Sequence, residues 1–126
     1  MDIVNIAAKL GNIATVKSIG KNEYEIVTGA KIDSKTPIII NLIQENDKIK
    51  FSDKKNTLKY MNQVYELKSL DVKNCISAVI KIYGFSIVSG ELLATIPSEA
   101  KLKEVFYNYI ICIGQLANMY AFFDKA

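Results

Sequence analysis

The stretch Pro37-Ile38-Ile39-Ile40-Asn41-Leu42-Ile43 sets the reading of the whole chain. Proline fixes φ and offers no N–H, which suits the start of a strand and not the interior of a helix. Three consecutive β-branched isoleucines lose rotamer freedom in a helix and fit a pleated strand. The run has too little polar alternation for a strand with one wet face. The sequence therefore predicts a central strand near 37–44 with both of its sides covered.

Outward from this run the texture stays β-rich. Glu45-Asn46-Asp47 breaks it and a further strand follows near 48–52, while Asp33 to Pro37 and Gly20-Lys21-Asn22 separate strands near 23–32 and 14–19. Ahead of these, Asp2 is placed to cap a short helix whose apolar residues Ile3, Ile6, Ala7 and Leu10 recur at helical spacing, with Gly11 at its end.

Downstream the period changes. Asn56 or Thr57 caps a short helix through about Tyr65, and Ser69 or Asp71 starts a longer one. In the latter, Val72, Cys75, Ile76, Val79, Ile80 and Tyr83 form one apolar stripe opposite Lys73, Asn74, Ser77 and Lys81, and Gly84 stops it. Phe85 to Val88, a Ser89-Gly90 turn and Glu91 to Ile96 read as a small hairpin. Pro97 and Ser98 open a closing helix to about Phe123, whose polar stripe is so narrow that most of its circumference should be covered. The expected architecture is α+β, one domain over residues 1–126: an antiparallel sheet of about four strands plus the hairpin, packed by the C-terminal helices.

Composition closes several reaction classes. The chain has 126 residues, half of them hydrophobic, enough for one core. With no histidine there is no Ser-His-Asp or Cys-His nucleophile pair and no zinc site of the usual kind, and six isolated glycines make no phosphate loop. Ser98-Glu99-Ala100-Lys101 matches S-x-x-K without its companion motifs, and Ser98 already serves as a helix cap. No catalytic residue, metal ligand or cofactor is assigned. An enzyme would have to be a metal-dependent nuclease, or its relic, with Asp33 and Asp53 as the hard oxygen ligands.

Charge points more weakly. All sixteen basic residues are lysines against thirteen acids, a net charge of +3. Without arginine the bidentate fork that reads guanine is missing, so base-specific DNA recognition is disfavoured. Lys48, Lys50, Lys54, Lys55 and Lys59, with Tyr60 nearby, form a candidate patch for phosphates or for a protein partner. Cys75 and Cys112 fall in apolar helical patterns as free thiols, and the N-terminus has no secretory pattern, so a cytoplasmic location is expected.

Val105 to Phe123 carries no charge for nineteen residues, which touches the lower length limit of a membrane span, but its amides and Gly114 argue for packing against protein instead. Tyr107, Ile110, Gly114 and Ala117 are candidate contacts there. A mid-helix glycine costs about 1 kcal/mol relative to alanine, so a backbone of the sheet, of the preceding helix or of a second copy is expected to approach Gly114 closely.

The order of motifs resembles a family of bacterial and phage domains of unknown function over roughly residues 24 to 123. Ile26-Val27-Thr28-Gly29-Ala30 stands where that family has an Ile-x-Thr-Pro-Phe strand. Phe51-Ser52-Asp53-Lys54-Lys55-Asn56-Thr57-Leu58 stands where it has Leu-Thr-Asp-Asp-Gly-x-Thr-Leu. Tyr83-Gly84 and Gly90-Glu91-Leu92 match its turn and hairpin. Of the acidic pair Asp53 is kept, while Lys54 replaces the second aspartate and Lys55 the glycine. The resemblance implies a mobile-element or phage protein. Taken with the missing catalytic groups, it gives the expected function: a small non-enzymatic interaction protein that binds a bacterial partner, such as a host-defence component it inhibits. A nucleic-acid-binding module using the lysine patch is the alternative, and a homodimer is a further candidate assembly.

Overall fold

The computed structural model describes residues 1–63 and 69–119. Four helices and six strands follow in the order α1 (Ile3–Leu10), β1 (Thr15–Gly20), β2 (Glu23–Asp33), β3 (Thr36–Glu45), β4 (Lys48–Ser52), α2 (Asn56–Met61), α3 (Leu70–Tyr83), β5 (Ser86–Val88), β6 (Glu91–Thr95) and α4 (Leu102–Ala117). A short 3-10 turn, Glu99–Lys101, leads into α4. The far ends of two expected helices, about Tyr65 and about Phe123, lie outside the described residues.

The strands form one antiparallel sheet in the order β1-β2-β3-β4-β6-β5. The hairpin is therefore not a separate feature beside about four strands. β6 pairs with β4 through Lys50↔Thr95, Phe51↔Ala94 and Ser52↔Leu93, making six strands among the described residues. The reason is the alternation Leu92, Ala94, Ile96, which continues the inward row of the sheet once β6 lies beside β4.

Turn chemistry fixes the register. Asn46 and Asp47 both take positive φ, 50° and 64°, as do Ser89 and Gly90, 51° and 85°, the twist that two-residue hairpins need. At the β2–β3 tip the Asp33 carboxylate accepts the N–H of Lys35 at 2.8 Å, closing an Asx turn. β2 is interrupted at Gly29, φ 84°, where the register with β3 shifts between Val27 and Lys31. There the Thr28 hydroxyl donates to the Ile38 carbonyl at 2.7 Å and accepts the N–H of Ala30 at 3.2 Å, stitching the bulge.

One face of the sheet carries the core. Ile26, Ile40, Leu42, Phe51 and Ala94 point into a single cluster with Ile6 and Leu10 of α1, Met61 of α2, Val72 of α3, and Phe106, Tyr109, Cys112, Ile113 and Leu116 of α4. Phe51 lies at its centre, its ring centroid 5.8 Å from Phe106 and 5.6 Å from Tyr109. β3 is an interior strand as expected, but its two sides are not equivalent. Ile38, Ile40 and Leu42 are buried in the core, whereas on the other side Ile43 is buried but Ile39 is 37% exposed next to its β2 partner Val27 at 38%. Ile39 serves this outer face through its fit to the pleat.

The helix termini depart from expectation at one point. α2 is not capped by Asn56 or Thr57; Asp53 reaches forward and its Oδ2 accepts the Thr57 N–H at 3.1 Å. Gly11 ends α1 as expected, in a right-handed conformation at φ −60°, and Gly84 ends α3 as expected at φ 73°.

Candidate functional site

Asp53 is the one buried carboxylate of the described chain, 2% exposed, and it is fully occupied. Its Oδ1 accepts the N–H groups of Lys55 and of Leu92, each at 3.0 Å, and its Oδ2 accepts that of Thr57. The adjoining Ser52 hydroxyl donates to Glu91 Oε1 at 2.6 Å, and the Tyr109 hydroxyl donates to the Leu92 carbonyl. Lys55 packs its alkyl chain at Gly90, where an added Cβ would stand 3.6 Å from it. The Asp53-Lys54-Lys55 turn and the Gly90-Glu91-Leu92 hairpin thus meet in one corner, and their polar groups are spent on joining two segments.

Asp33, the other proposed metal ligand, lies instead at the β2–β3 tip, where its Oδ2 accepts the Tyr60 hydroxyl at 2.8 Å. The Lys35 N–H, then Tyr60, hold its carboxyl below the usual range. Among the described residues no group of three or more potential ligands converges. The bulge at Gly29 precedes this tip, which borders an open cleft of about 750 Å³ lined by Asp33, Lys35, Asn56, Lys59 and Tyr60 over a floor of Ile38 and Ile113.

The five lysines do not make a single free patch. Lys50 pairs with Glu45 at 3.4 Å and Lys54 with Glu23 at 3.7 Å, the latter glutamate also accepting from Asn41 Nδ2 at 3.1 Å. Lys55 is laid along the hairpin turn and Lys59 projects from α2 into the cleft, while Lys48 is exposed beside the β3–β4 turn. Strand alternation separates groups that are adjacent in sequence. Phe51 and Tyr24, the aromatics of the central strands, belong to inward rows of the sheet, so they give the outer face no stacking platform.

The apolar surface lies on the other layer. α3 and α4 leave between them a trough of about 750 Å³ lined by Cys75, Ala78, Val79 and Ile82 on one side and Ile111, Gly114, Gln115, Asn118 and Met119 on the other. Ile82 is 77% exposed and Ile111 49%. The α3 and α4 walls are tied by the Tyr83 hydroxyl, which donates to Gln115 Oε1 at 2.8 Å. No other backbone approaches Gly114: among the described residues, beyond its own turn of helix and its chain neighbours, no heavy atom stands within 4 Å of where its Cβ would be. The expected close packing inside the monomer is therefore absent, because Gly114 lines the trough and not the core. Of its proposed companions, Tyr107 is exposed, Ile110 is half-buried against the core, and Ala117 is fully buried facing inward, so Ala117 is no contact for a second copy.

Gln115 and Asn118 belong to the polar stripe of the closing helix, whereas Ile82 and Ala78 are residues that the α3 stripe does not include. Ile82 carried the usable signal, a large aliphatic outside the α3 stripe among Lys81 and Ser77. Both thiols are free; burial, then the Asp53 charge, pushes Cys112 up to about 12, while Cys75 opens onto the trough. Among the described residues no helix is long and apolar enough to cross a membrane. No protein-family model, no curated protein and no solved structure matches the chain.

Proposed function

We propose that this protein is a non-enzymatic interaction module that engages another polypeptide through the α3–α4 face. The observation that carries the reading is the uncharged trough with Ile82 and Ile111 exposed on its two walls. Covering such side chains contributes about 25 cal/mol per Å² of apolar surface removed from water, and contiguous exposed apolar surface marks interaction sites. Tyr107, 48% exposed one turn before Ile111, adds a rigid aromatic of the kind that anchors protein contacts. The engagement of Asp53 by three backbone amides leaves it a structural task and supports a role without chemistry. The heterologous form of this reading is stoichiometric binding of a bacterial protein, as a mobile-element inhibitor binds a host-defence component.

A photo-crosslinking amino acid at position 82 tests the reading in bacterial cells producing the protein. The expected outcome is a polypeptide adduct that disappears when Ile111→Glu is added. An adduct formed equally from position 88, exposed on β5, or no polypeptide adduct from position 82, overturns it.

A further inference from the structure

We infer that the α3–α4 face is occupied by a second copy of this chain, packed antiparallel about a two-fold axis so that Ile111 of each copy fills the space over Gly114 of the other. The inference rests on reading this face as a protein-binding surface and names its occupant.

The first argument is spacing. Tyr107, Ile111, Gly114 and Asn118 succeed one another at four, three and four residues, the spacing of a helix–helix seam. An antiparallel two-fold centred on this seam places Ile111 opposite Gly114 and Tyr107 opposite Asn118, and the same two pairs recur by symmetry. The partners suit each other. Ile111 is a half-exposed aliphatic knob, and Gly114 presents open space with no neighbour to a Cβ among the described residues.

The second argument is hydrogen-bond complementarity. Asn118 Nδ2 donates to the Gly114 carbonyl at 2.8 Å, which ties the amide to its own helix and leaves Oδ1 as the side chain's acceptor. The exposed Tyr107 hydroxyl is a donor with no hydrogen bond among the described residues. In an inverted copy one donor and one acceptor stand opposite each other at both ends of the seam.

Charge agrees. The protein carries a net +3 from sixteen lysines, so copies repel over much of their surface, yet the seam contains no ionisable group except the tyrosine. A strongly acidic or basic partner gains nothing there, whereas a neutral face meets its own copy without penalty.

Sedimentation equilibrium on the intact chain tests the inference. The wild type is expected to approach twice the 14.1 kDa chain mass at high micromolar concentration. Gly114→Leu, which fills the hole, and Ile111→Glu are each expected to raise the dissociation constant at least about tenfold, with the thermal melt retained because both sites face open space. The exchange variant Ile111→Ala with Gly114→Leu, which moves the knob to the other position, is expected to recover the dimer. A wild type that stays monomeric, a dimer indifferent to Gly114→Leu, or an exchange variant no tighter than Gly114→Leu alone overturns the inference. If the wild type is monomeric while position 82 still crosslinks a different polypeptide, the second copy is the wrong occupant and the protein-binding reading stands. If neither occurs, both fall.

Discussion

Asp53 accepts the backbone N–H of Leu92, thirty-nine residues further along the chain, at 3.0 Å, and this bond closes the seam between β4 and β6. The same carboxylate caps α2 and holds the turn that leads to it, so one side chain sets the position of three elements. Among the described residues every buried side-chain polar atom is satisfied, and Asp53 is where that satisfaction is most concentrated.

Replacing Asp53 by alanine strands three amide donors, two of them in the corner's interior. Hydrogen bonds to a charged group contribute about 1.5–3 kcal/mol each, and unsatisfied buried donors add their own penalty. Asp53→Ala is expected to lose about 3 kcal/mol or more of stability in urea unfolding. Asp53→Asn retains an oxygen for Lys55 and Leu92 but turns a donor toward the Thr57 N–H, and should fall between it and the wild type.

Lys55 sits at φ 70°, a left-handed conformation that a β-carbon disfavours. Its alkyl contact with Gly90 offsets part of that strain. Lys55→Gly is expected to change stability by about +0.5 kcal/mol, a rise of a degree or two in melting temperature. Gly90→Ala, at φ 85°, is expected to lower it. A Lys55→Gly protein destabilised by more than about 1 kcal/mol would show that the packing outweighs the strain.

Gly114 lies in a helix interior with room for a side chain. Gly114→Ala should therefore stabilise the monomer by about 0.5–1 kcal/mol, measured in dilute protein where self-association contributes nothing. This is the opposite sign from the close packing that the sequence alone suggests.

Tyr109 and Cys112 give the alkaline limit of stability. Burial, reinforced by the Asp53 charge, raises the Tyr109 hydroxyl well above 10 and the Cys112 thiol from 9 to about 12. Both groups stay neutral in the fold longer than in the unfolded chain. Their contribution is complete below about pH 9 and is lost as the pH rises through the folded values. Urea midpoints should fall from about pH 9 upward, and a thiol reagent near neutral pH should label Cys75 in the native protein and Cys112 only after unfolding. Equal native labelling rates would contradict the burial of Cys112.

The strands were legible one by one because each is a local matter. Pro37 to Ile43, the Asn46-Asp47 and Ser89-Gly90 turns and the α3 stripe carry their conformations in backbone sterics and in apolar spacing, which act over a few residues. What the sequence could not decide is which edges and faces meet. The hairpin joins β4 as part of a six-stranded sheet through pairing between residues more than forty positions apart. Asp53 looked like half of an acidic site and became a structural staple, since only the fold brings Leu92 to it. The lysines of 48–59 looked like one patch and were divided by strand alternation and by glutamates from β2 and β3. Gly114 looked like a point of close approach and became open space, because its neighbourhood is set by how α3 and α4 sit on the sheet. Local sterics and periodicity determined the elements; long-range complementarity of buried surface determined their assembly and left the α3–α4 trough outside the core.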